Sequence, residues 1–431
     1  MNDVVIIGAG VTGLALGRRL ANEGKNVVVL EADERVGGPI RSLKTSGLVV
    51  ECGPQALRVT EHTITALEEL SMQDRIVEGS AAVNTRFILW DGKLRPVPRA
   101  LLDRSFFKKR ELLRMMAEPM IARRDPPRPD ESAFDFVTRR FGKAVAERLL
   151  DPFVAGIYAG DAHQLEMAAA FPDVVKWERS GSVVAGGIGS RRGAWRAPAW
   201  APKRGYTLKN GVQSLVDMLA GSLPGDLLKL STPVDRVERR GAGFLVRAKG
   251  GNYDASRVVL TVGGARAAAI FAPGPNVPDI AHDLNAQPTS FVASVHLAFK
   301  ASEAPSPEGF GWLSPTSQRK DVLGVVWVSS VFPAHYPGRT VLRVMIGGAR
   351  EDVSKMTDEQ LLLRARKVVA EVEGIRADPA YTHIQRATLP QYNVGHAARL
   401  ARLRESGVDF VGWPYTGNGV DAALGAARNW S

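Results

Sequence analysis

One cysteine, Cys52, occurs in 431 residues, so no intrachain disulfide can form and a reducing compartment fits. No apolar run approaches the roughly 20 residues that cross a bilayer as a helix. The seven histidines are scattered, with no metal-ligand spacing beside cysteines or carboxylates, and no metal site is expected. There is no G-x-S-x-G elbow for a serine nucleophile and no Walker A loop for a nucleoside triphosphate. Repeats and low-complexity tracts are missing. A strand-like run begins at Asp3, which leaves no room for a leader, and a cytoplasmic location is expected.

What is present describes a globular protein of two or three domains: 45% of residues are hydrophobic and 23% charged. The net charge of +11 suits nucleic acid, an anionic membrane surface or an acidic small molecule. The arginines are spread along the chain rather than gathered on one element with aromatic platforms, which speaks against nucleic acid.

The stretch VVIIGAGVTGLALGRRLANEGKNVVVLE, residues 4 to 31, carries the first chemistry. Residues 3–8 predict a buried parallel strand, 11–24 a helix stopped at Gly24, and 26–31 a second buried strand. Gly8, Gly10 and Gly13 fall in G-x-G-x-x-G register. The first permits a tight turn, the second lets a pyrophosphate approach the backbone, and the third lets helix and strand pack closely. The helix N-terminus turns free N–H groups toward the phosphates. Glu31 closes the second strand, where a carboxylate accepts hydrogen bonds from ribose hydroxyls and argues against a 2′-phosphate. A dinucleotide is expected; these residues alone leave NAD and FAD open.

A second glycine pair, Gly37 and Gly38, follows in ADERVGGPIRS (32–42), with Arg41 behind it. The run resembles the E-R-x-G-G-x-x-R segment of the FAD-dependent amine oxidase and porphyrinogen oxidase superfamily. Pro39 stands where amine oxidases of that superfamily usually have arginine. ECGPQAL (51–57), GIYAGDAHQLEMAAAFP (156–172) and PQYNVGH (390–396) resemble segments of its porphyrinogen-oxidising branch, which includes protoporphyrinogen and coproporphyrinogen III oxidases. Together they span nearly the whole chain.

The resemblance implies an α/β fold. A Rossmann-like FAD-binding domain would be assembled from 1–85, 207–280 and 401–431. A mixed-sheet substrate domain would take 86–98 and 281–400, and a helical domain of the membrane-association type 99–206. Residues 86–98 predict a hairpin turning at Asp91-Gly92. The proline-rich break DPPRPDES (125–132) should end one helix and cap the next through Asp130 or Ser132. Residues 207–272 predict alternating strands, 357–373 a helix, and 409–412 a short strand before a glycine loop and a helix from Val420. The cofactor implied is FAD, held by Gly8, Ala9, Gly10, Val11, Thr12, Gly13, Glu31, Ala32, Gly37, Gly38, Arg41, Gly53, Pro54, Gln55, Ala56, Val234, Asn418, Gly419 and Val420. Asp421-Ala422-Ala423 departs from the Asn-Asp-Cys-like run usual after the valine, and the last helix, ending by Ser431, is short.

The substrate implied is a porphyrinogen, a reduced tetrapyrrole bearing propionates. Six electrons would leave it in three FAD cycles, by hydride transfer to flavin N5, with molecular oxygen reoxidising the cofactor and giving peroxide. No side chain is assigned as catalytic, because the flavin does the chemistry. Arg86 matches an arginine that grips a propionate, and a guanidinium suits a carboxylate. Gly156 matches a glycine whose backbone faces the macrocycle. His396 reads as structural rather than as a base. Protoporphyrinogen IX is the principal substrate expected and coproporphyrinogen III the alternative; another FAD amine oxidase or desaturase, or a non-catalytic FAD-binding protein, stands behind them. SFFKKRELLRMMAEPMIARR (105–124) mixes apolar and basic residues. It suits an interfacial helix on an anionic bilayer, with peripheral association on the cytoplasmic face. An ordinary amphipathic helix packed inward, broken at Pro119, is the favoured reading of that stretch alone. A homodimer is left open.

Overall fold

The computed structural model describes residues 2–124, 128, 130–190, 195–271 and 280–431. The chain divides into two compact units, one from Met1–Glu78, Ala197–Pro288 and His396–Ser431, the other from Gly79–Arg196 and Thr289–Gly395.

The first unit is built around the strand Asn2–Ile7, paired in parallel with Val27–Leu30 on one side and Gly251–Leu260 on the other. Its side chains alternate between two cores. Val4 and Ile6 face the layer containing the helices Val11–Asn22, Gln213–Gly221 and Val420–Asn429, and Val5 and Ile7 face a layer containing Gly264–Ala269, Ile280–Asn285 and His396–Arg404. A strand buried on both faces is apolar throughout, which is why the run VVII lacks polar alternation. An antiparallel meander, Val234–Arg240, Gly243–Ala248 and Gly251–Leu260, extends the sheet, and Asp409–Phe410 adds a parallel strand beside Leu260.

Two expectations need correction here. The segment 207–272 is not strands alone, because Gln213–Gly221 is helical. Val212, Leu215, Val216 and Leu219 are its buried stripe, a helical spacing of apolar residues. The predicted strand 409–412 ends at Phe410, and Gly412 turns away with φ +102°.

The second unit holds a seven-stranded sheet in the order Tyr381–Pro390, Thr289–Lys300, Arg339–Gly347, Gly324–Val326, Gly311–Leu313, Arg86–Trp90, Lys93–Val97. Asp91 and Gly92 both take positive φ in the hairpin joining the last two, as a two-residue type I′ turn requires. The helix Asp358–Val372, capped by Thr357, covers one face through Leu361, Ala365 and Val368. Helices Ala133–Phe141, Asp151–Tyr158 and Pro172–Arg179 contribute to a separate core, the first capped by the Ser132 hydroxyl accepting from the Asp135 N–H. The break predicted at 125–132 lies partly outside the described residues. No described helix is long and apolar enough to cross a membrane.

Candidate functional site

The glycines of the opening motif each show a separate reason for being glycine. Gly8 has φ +109°, and a Cβ there would meet the Thr261 hydroxyl at 2.5 Å. A Cβ on Gly13 would lie 1.9 Å from the Gly8 carbonyl oxygen, so helix and turn touch backbone to backbone. Around Gly10 there is no atom within 4 Å of such a Cβ. Close packing at the first and third positions and open space at the second form the cradle that a pyrophosphate needs. The helix Val11–Asn22 begins there with neither a side-chain cap nor an acidic residue in its first turn, which leaves its leading N–H groups for an anion.

Glu31 follows the second strand directly. Its carboxylate accepts from the N–H of Ala9 at 2.7 Å and of Asp33 at 3.0 Å, leaving further lone pairs for ribose hydroxyls. Ala32 is exposed beside it. The segment leading to Val234 reaches the same place, since Thr232 N–H donates to the Glu31 carbonyl at 2.8 Å and Ser231 N–H to that of Asp33 at 3.0 Å. Gly37 and Gly38 both take positive φ, and the Gly37 N–H donates to the Ala9 carbonyl at 2.9 Å. Arg41 is exposed behind them.

The segment Gly53–Ala56 is tied to this loop: a Cβ on Gly53 would meet the Pro39 carbonyl oxygen at 2.4 Å. Both amide atoms of Gln55 are shielded from solvent and make no hydrogen bond among the described residues. Leaving two such groups unmet costs folding energy, so they point to a polar ligand that completes them. At the far end of the chain, Gly417 (φ +137°) and Gly419 (φ +106°) bracket Asn418, and the helix Val420–Asn429 starts at Gly419 without a side-chain cap. Asp421, the departure noted in its first turn, pairs with Arg58.

Two contributors escaped sequence reasoning. The Thr261 hydroxyl donates to the carbonyl oxygens of Ile7 and Gly8 at 3.0 and 3.1 Å, fixing the first turn from a strand end some 250 residues away. Arg35 donates to the Gly38 carbonyl at 2.6 Å and holds the glycine pair from below; its position within E-R-x-G-G was the available signal. His396 is buried, its Nε2 lies 3.2 Å from the Tyr415 carbonyl oxygen, and burial lowers its pKa.

Arg86 and Gly156 belong to the second unit. Arg86 opens its strand with an exposed side chain lying over the Phe310 ring, 4.9 Å from the centroid. It makes no ion pair among the described residues, and partial desolvation lowers its pKa. A cation kept free of carboxylates beside an aromatic ring is prepared for an external anion. Gly156 lies in the helix Asp151–Tyr158 and seats it on the sheet, where a Cβ would be 2.5 Å from Leu313 Cδ2. Leu313 is two residues along the strand from Gly311, the register partner of Arg86, so the sequence-predicted pair is brought to neighbouring rows.

The stretch 105–124 divides. Phe106 and Phe107 are fully buried, but the helix Lys109–Met116 buries none of its residues, and Leu113, Met116 and Met120 are 67%, 73% and 84% exposed. The inward-packed reading holds in part for this helix: Leu112 packs beside Phe106 and Phe107, while Leu113 and Met116 face outward. The Glu118 carboxylate, buried with Arg140, also accepts from the Ser182 hydroxyl and the Val183 N–H. This fixes the turn carrying Met120 to the helix Val183–Gly189, whose Ile188 is exposed as well.

A model of the family described as flavin containing amine oxidoreductase matches residues 11–413. The chloroplastic protoporphyrinogen oxidase of Nicotiana tabacum is 31% identical over 455 residues, covering 96% of this chain and 81% of that one. The coproporphyrinogen III oxidase of Bacillus subtilis strain 168 is 28% identical over 450 residues, covering 97% and 94%. Among solved structures, cyclohexylamine oxidase from Brevibacterium oxydans IH-35A superposes with a TM-score of 0.71 at 20% identity, covering 99% and 98%, a likeness of fold. The open cradle at Gly10, the orphaned Gln55 amide and the uncapped helix starts fit FAD, which is the cofactor of this chain.

Proposed function

Because the chain belongs to the flavin containing amine oxidoreductase family, we propose that it is an FAD-dependent porphyrinogen oxidase. Its substrate in this reading is protoporphyrinogen IX, which loses six electrons to become protoporphyrin IX with molecular oxygen as the final acceptor. Bound FAD supplies the oxidising capacity and the chain supplies binding and electrostatics. Gly8, Gly10, Gly13 and the Val11 helix start would hold the pyrophosphate, Glu31 the ribose, and Gln55 with the Asn418–Val420 segment the isoalloxazine ring. The helix start at Val420 would favour negative charge on that ring.

The observation that carries the substrate reading is Arg86, a partly desolvated guanidinium over Phe310 with no ion pair among the described residues. It would take one propionate in a bidentate grip and orient the macrocycle. Coproporphyrinogen III is the second reading, favoured by a further arginine, Arg343, in the same sheet. The exposed Leu113, Met116 and Met120 beside Lys108, Lys109 and Arg110 support peripheral docking on an anionic membrane from the cytoplasmic side, where an apolar product partitions. The deciding experiment follows porphyrin fluorescence under air, with FAD-loaded protein and each porphyrinogen separately, corrected for spontaneous oxidation. Enzyme-dependent protoporphyrin formation supports the reading; a flavin-loaded protein that accelerates neither reaction overturns it.

A further inference from the structure

The pairing register draws one line across the second sheet. His383 pairs with His296, His296 with Arg343, Arg343 with Val326, Val326 with Gly311, and Gly311 with Arg86. Directly paired residues share a face. The adjacent row provides the check. Ile384, Val295, Val344, Val325, Trp312 and Phe87 pair in the same strand order, and all six belong to the core formed with the helix Asp358–Val372. By alternation, Arg86 and Arg343 stand on the opposite face. On that face Ala155 and Ala159 pack with Val292 and Met345, and Gly156 rests on Leu313, so this helical segment covers neighbouring rows.

We propose that Arg343 is a second carboxylate anchor for the substrate, reading the edge of the macrocycle remote from Arg86. The proposal rests on the porphyrinogen reading. Three strand spacings of about 4.8 Å separate the two residues, roughly 14 Å along the row. Arg343 donates to the Ser294 hydroxyl at 3.1 Å, which draws its guanidinium toward the strand Thr289–Lys300 and away from Arg86, so the two cations suit carboxylates at opposite edges of a large ligand. His296 beside it is fully buried, and desolvation, with the Arg343 charge adding, holds its pKa well below the usual histidine range. It therefore stays neutral, and Arg343 carries the positive charge at the centre of the row.

Protoporphyrinogen IX carries two propionates, on neighbouring pyrroles; coproporphyrinogen III carries four, one on each pyrrole. A macrocycle gripped by Arg86 at one edge offers a carboxylate to Arg343 only when the far edge bears one. Arg343 thus sets the ratio of activities on the two porphyrinogens, whichever is turned over faster.

The test compares FAD-loaded wild type with R343M and R343K on both porphyrinogens, and measures coproporphyrin III binding by fluorescence quenching. R343M should lose about tenfold or more in kcat/KM on coproporphyrinogen III, chiefly through KM, and under threefold on protoporphyrinogen IX. R343K should recover part of the loss. Equal losses on both substrates, or none on either, overturn the proposal; if R343M does not fold, R343K and R343Q provide the same comparison. Should the wild type oxidise neither porphyrinogen, the functional reading falls by itself. Coproporphyrin III bound by wild type and not by R343M then still supports the anchor, and no binding by wild type overturns both.

Discussion

The Gly8 carbonyl oxygen occupies the place where a Gly13 side chain would begin, 1.9 Å from the ideal Cβ position. Gly10, between them, faces open space and has φ −70°, ψ 176°, a conformation any residue adopts. The two positions should therefore fail in different ways. G13A should lower Tm strongly or abolish folding, because backbone must move. G10A should keep the apo-protein Tm and weaken FAD binding at least tenfold, because its methyl occupies the phosphate approach. Thermal melts with and without FAD, with flavin retention on a desalting column, separate these outcomes; a fully flavin-loaded G10A would refute the cradle.

Arg86 makes no ion pair among the described residues, so its loss should cost little stability. R86A is expected to melt with a change within about 0.5 kcal/mol and to lose 10- to 100-fold in kcat/KM on porphyrinogen. R86K should fall between, since an ammonium lacks the planar fork. An R86A enzyme of wild-type KM would remove the propionate grip.

Glu373 ends the helix Asp358–Val372 with its Oε1 accepting from the indole N–H of Trp312 at 2.6 Å and of Trp327 at 3.1 Å. Burial raises its pKa to about 7. The folded protein binds this proton more tightly than the unfolded chain does. The resulting stabilisation is complete below about pH 4.5 and is lost as pH rises through 7. The span corresponds to about 3 kcal/mol as an upper bound. E373Q should flatten the Tm-versus-pH curve between pH 5 and 8 and be the more stable form at pH 8. Parallel curves for the two proteins would refute the assignment.

The exposed apolar side chains make a prediction about location. L113E/M120E should melt like wild type, because neither residue is packed, and should lose sedimentation with vesicles containing anionic phospholipid. Wild type that stays in the supernatant at low ionic strength would end the membrane reading.

Local chemistry was readable; long-range placement was not. The strand-glycine-helix-strand opening announces itself because its periodicity and turn residues lie within 30 positions. The Thr357 capping box and the Asp91-Gly92 hairpin are equally local. The buried stripe of Gln213–Gly221 was present in the sequence but lay between strands and was absorbed into them. Arg343 was invisible as a partner of Arg86, since their common row depends on registers among four strands spread over more than 250 residues. The pattern of 109–116 shows an apolar face without showing whether anything covers it.

The strand Asn2–Ile7 has consequences for biosynthesis. It is made before both of its neighbours, and one of them, Gly251–Leu260, is about 250 residues downstream. At about 5–20 residues per second, the ribosome leaves one edge of VVII unpaired for roughly 10–50 s. During that interval an apolar strand edge is available to other nascent chains. The flavin-binding half is thus a late assembly, and its yield in cells should depend on chaperone supply more than on the stability of the finished sheet.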